Sequence, residues 1–297
     1  MAVAPVRVSA RVVAVIGGLV VAAAQVRAQC VPPPGSNEAK LLAFYEAPVA
    51  FATVLPPEIL RPGHVAIVGE LTGVPAPANS LLQTGYCFRA KQEGTHVAPI
   101  LPRVRLELGL PAGFAVEGSY EPQITVDRAN PNFGSLAVSY TRQLLAPISE
   151  ENRRVPGLLL QLRVHGTTGS IHAPITCPKA SLQLSDPAAP CYGTTPSNDI
   201  FYPRSIGTEA AIAARPLFNR LSADAGLGYL WLDPRFRVGF TDATGFTDHT
   251  RVEVGLRRAA VFGGVSVRVV GPLDAGAEVY SVPADLTTWR LAARYRI

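Results

Sequence analysis

From residue 63 onward the chain is a succession of short segments in which apolar and polar residues alternate one for one. Side chains along a β-strand point to opposite faces with a period of two, so each segment reads as a strand with two unlike faces. The last twelve residues show it best: Trp289, Leu291, Ala293, Tyr295 and Ile297 on one face, Arg290, Ala292, Arg294 and Arg296 on the other. In 221–231, Leu221, Ala223, Ala225, Leu227, Tyr229 and Trp231 oppose Ser222, Asp224, Gly226 and Gly228. Segments 103–110, 158–165 and 273–280 repeat the pattern, the last with Asp274, Gly276, Glu278 and Tyr280 on its second face.

Alternation alone fits a soluble sandwich, whose apolar face is the core, or a membrane barrel, whose apolar face is the outside. Three features favour the barrel. The polar faces carry glycine and charges of both signs, as a crowded lumen requires. Trp231, Trp289, Tyr229 and Tyr295 lie near strand ends on the apolar face, where an interfacial aromatic girdle would sit. The sequence also stops inside a strand pattern, on the apolar Ile297. Composition removes the other classes. With 48% apolar and 16% charged residues the chain is not disordered, and 27 Pro and 26 Gly break any coiled coil. A helical membrane bundle needs several apolar runs of about 20 residues, and the longest clean run here, 12–24, occurs once.

That run belongs to a secretory signal over residues 1–28, with Arg7 and Arg11 as its positive region and Val26-Arg27-Ala28 before the expected cleavage site. The expected mature chain starts at Gln29. Its formal charge drops from +5 to +2 on loss of Arg7, Arg11 and Arg27, too little to point to nucleic acid. All four cysteines lie beyond the signal, and an exported chain keeps disulfides. Cys177 and Cys191 are the preferred local pair; the pairing of Cys30 and Cys87 stays open. No metal-ligand spacing occurs among the scattered histidines, and no cofactor is expected.

The ending Trp289-Arg-Leu-Ala-Ala-Arg-Tyr295-Arg-Ile297 resembles the C-terminal assembly signal of bacterial outer-membrane β-barrel proteins. Ile297 stands where that family usually ends in Phe or Trp. The segment Val261-Phe-Gly-Gly-Val-Ser-Val-Arg268 is similar to a penultimate-hairpin strand of small OmpA/OmpW-like barrels. The resemblance implies insertion by the barrel assembly machinery, through a signal carried by Trp289, Leu291, Tyr295 and Ile297. It also implies contact with outer-membrane lipids and a passive-permeation or envelope-structural role.

The expected fold is therefore all-β: an up-and-down antiparallel transmembrane β-barrel with short periplasmic turns and long extracellular loops. Ten strands fit, at about 63–73, 101–110, 113–122, 133–143, 155–166, 204–214, 218–232, 255–270, 272–281 and 286–297, with eight or twelve as alternatives. Pro111-Ala-Gly113, 215–219 and Gly271-Pro272 become inner turns, and 144–154 is long for one. Asp242-Ala-Thr-Gly245 caps a hairpin with arms 236–240 and 251–256 that projects outward. Residues 29–62 do not alternate; they read as a periplasmic leader with a short helix at 37–45, or as a plug entering the lumen, ahead of the barrel at 63–297.

Strand parity assigns Arg103, Arg105, Arg163, Arg251, Arg257, Arg268, Arg290, Arg294 and Arg296 to the lumen, with Glu107, Glu117, Glu209, Asp224, Glu253 and Glu278. Such charges must pair or stay wet. Either they form a salt-bridged, nearly solid interior, or the surplus of arginines makes a narrow pore that draws small anions. A monomer is expected, with no nucleic-acid partner. Two other classes stand beside this reading: a secreted soluble β-sandwich or lipocalin-like binder, and an outer-membrane hydrolase using loop residues Asp242, Asp248 and His249. No nucleophile elbow, P-loop or zinc-protease motif occurs, and catalysis is not expected.

Overall fold

A computed structural model describes residues 29–82, 85–87, 99–125, 128–150, 153–217 and 220–297. The expected signal at 1–28 lies outside the described residues.

Ten antiparallel strands close on themselves. In chain order they are β1 (Val65–Gly73), β2 (Ile100–Gly109), β3 (Phe114–Glu121), β4 (Asn130–Leu145), β5 (Gly157–Ala173), β7 (Arg204–Leu217), β8 (Leu221–Leu232), β11 (Leu256–Val270), β12 (Leu273–Val282) and β13 (Leu286–Arg296). Each pairs with the next, and the ring shuts where Trp289 to Arg296 of β13 run antiparallel to Gly73 to Ala66 of β1. Closure leaves no exposed edge. A two-sheet sandwich is therefore not the fold. Leu106, Leu227 and Leu291 point outward, 55%, 66% and 46% exposed, while their neighbours Arg105 and Ala292 are buried inside.

The outer wall is an apolar belt between two aromatic rims. Tyr120, Tyr229, Trp231 and Trp289 stand toward the long-loop end, and Phe114 and Tyr295 toward the tight-turn end. At the tight-turn end the connections are short, except that after β4 Ile148–Glu150 pairs antiparallel with Arg153–Val155. β4 and β5, of 16 and 17 residues, exceed the roughly 9–11 a tilted membrane strand needs and stand proud of the belt.

Beyond the belt the wall continues as a smaller sheet. The tip of β5 pairs with β6 (Asp199–Tyr202), which pairs with β9 (Arg235–Arg237), which pairs with β10 (Arg251–Glu253). Gln29 and Cys30 add a parallel bridge on Arg251 and Val252. This is the projecting hairpin expected from the sequence, with Phe236 opposite Val252. Under it lies an apolar core of Phe201, Phe236, Val238, Phe240 and Val252, joined by Leu42 and Ala43 of helix α1 (Asn37–Glu46). Ser36 caps that helix by accepting a hydrogen bond from the Ala39 N–H at 3.2 Å. The helix is enclosed nearly all round, burying Glu38 and Glu46 together with its apolar residues.

Both disulfides tie this outer cap: Cys177–Cys191 within the 174–198 loop, and Cys30–Cys87 between the N-terminal segment and the loop after β1. Residues 29–46 thus lie at the long-loop end, whereas β1 starts at the tight-turn end. The chain joins them by running down through the ring, and every residue from 46 to 57 is buried.

Candidate functional site

The lumen is the site to which the strand pattern points, and its centre is the segment 47–57. This stretch is rich in Ala, Val, Phe, Leu and Pro and has no strand partner inside a closed ring, so its backbone carbonyls need donors from elsewhere. Wall arginines supply them. Arg103 donates to the carbonyl of Val49 at 2.9 Å, Arg163 to Phe51, and Arg105 to Ala52 at 2.7 Å. Further down, Arg290 donates to Thr53 at 3.2 Å, Arg294 to Pro56 at 3.3 Å and Arg215 to Pro57 at 3.3 Å. In return, the Thr53 N–H donates to Glu209 at 3.2 Å. The ring of Phe51 lies among three guanidinium groups, 4.5 Å from that of Arg105, 5.1 Å from Arg163 and 5.5 Å from Arg103.

The same arginines pair with wall carboxylates. Arg105 bridges Glu70 and Glu117, the latter at 2.9 Å, and Arg163 bridges Glu117 at 2.7 Å and Glu209 at 3.0 Å. Arg290 lies 3.5 Å from Glu278 and stacks 4.3 Å over Tyr280. Near the turn end, Glu58 gathers Arg296 at 2.7 Å, Arg215 at 2.9 Å and Arg294 at 3.8 Å, and Arg294 also holds Glu107 at 3.0 Å. Asp274 joins Arg296 and, at 3.6 Å, Arg268. Planar guanidinium groups with five donors suit this double duty, since one fork can serve a carboxylate and a backbone carbonyl together.

Three of the residues assigned to the lumen by parity lie elsewhere. Arg257 is on the outer face, directly opposite Trp231 in register, because β11 turns its even positions inward. Arg251 and Glu253 belong to the outer sheet beyond the ring. Asp224 is inside and buried, as are Arg103, Arg105, Arg163, Glu209, Glu278, Arg290 and Arg294. Sequence reasoning missed Glu58, Glu70, Glu121, Arg215 and Asp274. Asp274 and Glu121 share faces with Glu278 and Glu117, so the alternation could have found them. The inner face of β1 is otherwise Ala66, Val68 and Thr72, which hides Glu70. With these carboxylates counted, the lumen has no surplus of arginine among the described residues.

The loop carboxylates weighed for hydrolysis are engaged locally. Asp242 accepts from the N–H groups of Thr244 and Phe246 at 2.8 and 3.0 Å, and Asp248 from that of Thr250 at 2.8 Å. Among the described residues no group of three His, Cys, Asp or Glu is placed to hold a metal.

The cap is organised by buried carboxylates above the belt. Asp199 accepts from the N–H groups of Ile175, Thr176 and Gly239 and from the Ser197 hydroxyl, within 2.6–2.9 Å. Glu38 accepts from the N–H groups of Gly85, Tyr86 and Cys87. Burial raises the Glu38 carboxyl, and its own backbone N–H together with those three donors more than offsets this, leaving its pKa below the ordinary carboxylate value. Glu46 has no such set; burial pushes it up to about 8 against weaker help from Ser205 and the Arg204 backbone.

No protein-family model matches the chain, and no curated protein matches it. Among solved structures it is similar to the attachment invasion locus protein Ail of Yersinia pestis, at 10% identity over 80% of this chain and 100% of that one, with a TM-score of 0.29. It is also similar to the outer membrane protein Omp33 of Acinetobacter baumannii, at 8% identity over 79% of this chain and 98% of that one, with a TM-score of 0.27. The strand pairing described above, rather than these likenesses, carries the fold.

Proposed function

We propose that this chain is an outer-membrane β-barrel closed by its own N-terminal segment, with an envelope-structural role and a disulfide-tied cap held at the cell surface. The apolar outer wall with its two aromatic rims supports membrane insertion. The observation that carries the closed state is the grip of six wall arginines on the carbonyls of the segment 49–57. Pulling out that segment would exchange these charge-assisted hydrogen bonds for bonds to water, at roughly 1.5–3 kcal/mol for each. The partners of such a protein are outer-membrane lipids and the barrel assembly machinery, and it works as a monomer without catalysis.

Passive permeation is the competing role, and it requires the segment to leave. Liposome swelling separates the two. Vesicles holding the refolded full chain should resist swelling in small sugars as empty vesicles do, and swelling at a porin-like rate would favour permeation. The barrel itself is tested by detergent gels: the folded chain should migrate differently before and after boiling.

A further inference from the structure

Just beyond the outer aromatic rim, on the outward face of the wall, a cleft of about 450 Å³ opens between the ring and the smaller sheet. Arg204 lines it from β7, Arg235 and Arg237 from β9, and Arg251 and Glu253 from β10. Four guanidinium groups in one cleft require compensation, and the described residues provide only part. Asp233 lies 3.2 Å from Arg204 and 3.8 Å from Arg235, and Glu253 lies 3.4 Å from Arg235. Gln29 also donates to Glu253. Arg237 and Arg251 have no carboxylate among the described residues, yet they stand directly opposite each other in the β9–β10 register. Like charges at opposed positions destabilise a strand pair. A bound anion between them would reverse that sign.

The height of the cleft narrows the choice of anion. Arg204 pairs with Thr168, and both lie on the outward face. Arg204 stands two residues, about 7 Å of strand, beyond Ile206, which is level with Trp231 and is 58% exposed in the belt. Arg257 is also level with Trp231 and also faces outward. The cleft therefore sits at the level that the polar headgroups of the outer leaflet occupy around a barrel of this kind.

We infer that this cleft binds the phosphate group of an outer-leaflet glycolipid, with Arg237 and Arg251 as the paired donors and Arg204 and Arg235 at its rim. Guanidinium groups bind phosphate through two parallel hydrogen bonds, which suits a dianionic monoester held between two of them. The cleft has the volume of a small-ligand site. The inference rests on the membrane-barrel reading.

The test uses the refolded full chain in detergent micelles, titrated with diphosphoryl lipid A, with its phosphate-free form, and with inorganic phosphate as competitor. The double variant R237Q/R251Q and the control R257Q are run in parallel, each checked for the heat-dependent gel shift. The wild type and R257Q should bind the phosphorylated lipid about tenfold tighter than the phosphate-free form, the worth of one charge-assisted contact. R237Q/R251Q should lose that preference while keeping the gel shift. Equal binding of the two lipids by the wild type overturns the proposal, as does a preference that survives in R237Q/R251Q. Competition by inorganic phosphate at concentrations equal to the lipid would assign the cleft to a free anion instead. Absence of any heat-dependent shift in the wild type overturns the membrane reading itself, a different failure from loss of phosphate preference in a folded barrel.

Discussion

The guanidinium group of Arg105 stacks 4.5 Å over the ring of Phe51 and donates at 2.7 Å to the carbonyl of the next residue, Ala52. One wall side chain thereby holds the plug segment by ring and backbone at once. Phe51 is fully buried and touches two further arginines. Phe51→Ala should destabilise the plugged barrel by about 3–5 kcal/mol, the usual cost of emptying a buried aromatic site. The temperature at which the folded gel band is lost reads it directly, and an unchanged temperature would show that the ring bears no packing load.

On the closing seam Trp289 lies opposite Gly73, and a Cβ built on that glycine would fall 2.0 Å from the indole. The space belongs to the aromatic ring, which covers the glycine as a cross-strand partner. Gly73→Val should displace the indole and weaken the junction of first and last strands by about 1–3 kcal/mol. The expected result is a lower refolding yield with a shifted tryptophan emission; wild-type yield and emission would contradict it.

Glu46 gives the cap a pH dependence of known sign. Its carboxyl titrates near 8 in the folded cap against an ordinary value of 4.5, so the closed form holds a proton that the opened form releases. Its stabilisation is full below pH about 4.5, declines as pH rises, and is lost by about pH 8. Glu46→Gln should therefore leave cap stability at pH 5 nearly unchanged and raise it at pH 8.5 by about 2–5 kcal/mol. Hydrogen exchange of the α1 amides measures this. Equal protection of variant and wild type at pH 8.5 would show that Glu46 ionises freely.

Asp199 ties the 174–198 loop to the start of β6 and to Gly239 through several donors on one buried carboxylate. Asp199→Ala leaves those donors unpaired and should cost the cap about 3 kcal/mol or more. Limited proteolysis should then cut near residues 175–197 while the ten-stranded ring stays resistant. Cleavage no faster than in the wild type would contradict the role of Asp199.

Much of this fold was legible because a closed ring with lipid outside and charge inside imposes the same two-residue period on every strand. All ten barrel strands overlap the segments read from that period, and Asp242–Gly245 sits at the tip of the projecting hairpin. Arg257 was placed on the wrong face because the inward positions at the start of β11, Leu256, Ala260 and Phe262, are apolar, so polarity there does not mark the lumen side. Arg251 and Glu253 stand above the ring on the outward face of the smaller sheet, and Val252 between them turns inward. The route of residues 47–57 was not legible. An apolar stretch with three prolines carries no period, and nothing local in it says that its carbonyls will meet arginines more than 50 residues away.

The central claim is that this segment closes the barrel, and planar-bilayer conductance tests it most directly. The refolded wild type should add no stepwise current, whereas a full-length variant with residues 47–57 replaced by a Gly-Ser stretch, which removes Phe51 and its neighbours from the lumen, should conduct in discrete steps. Steady single-channel steps from the wild type would contradict it.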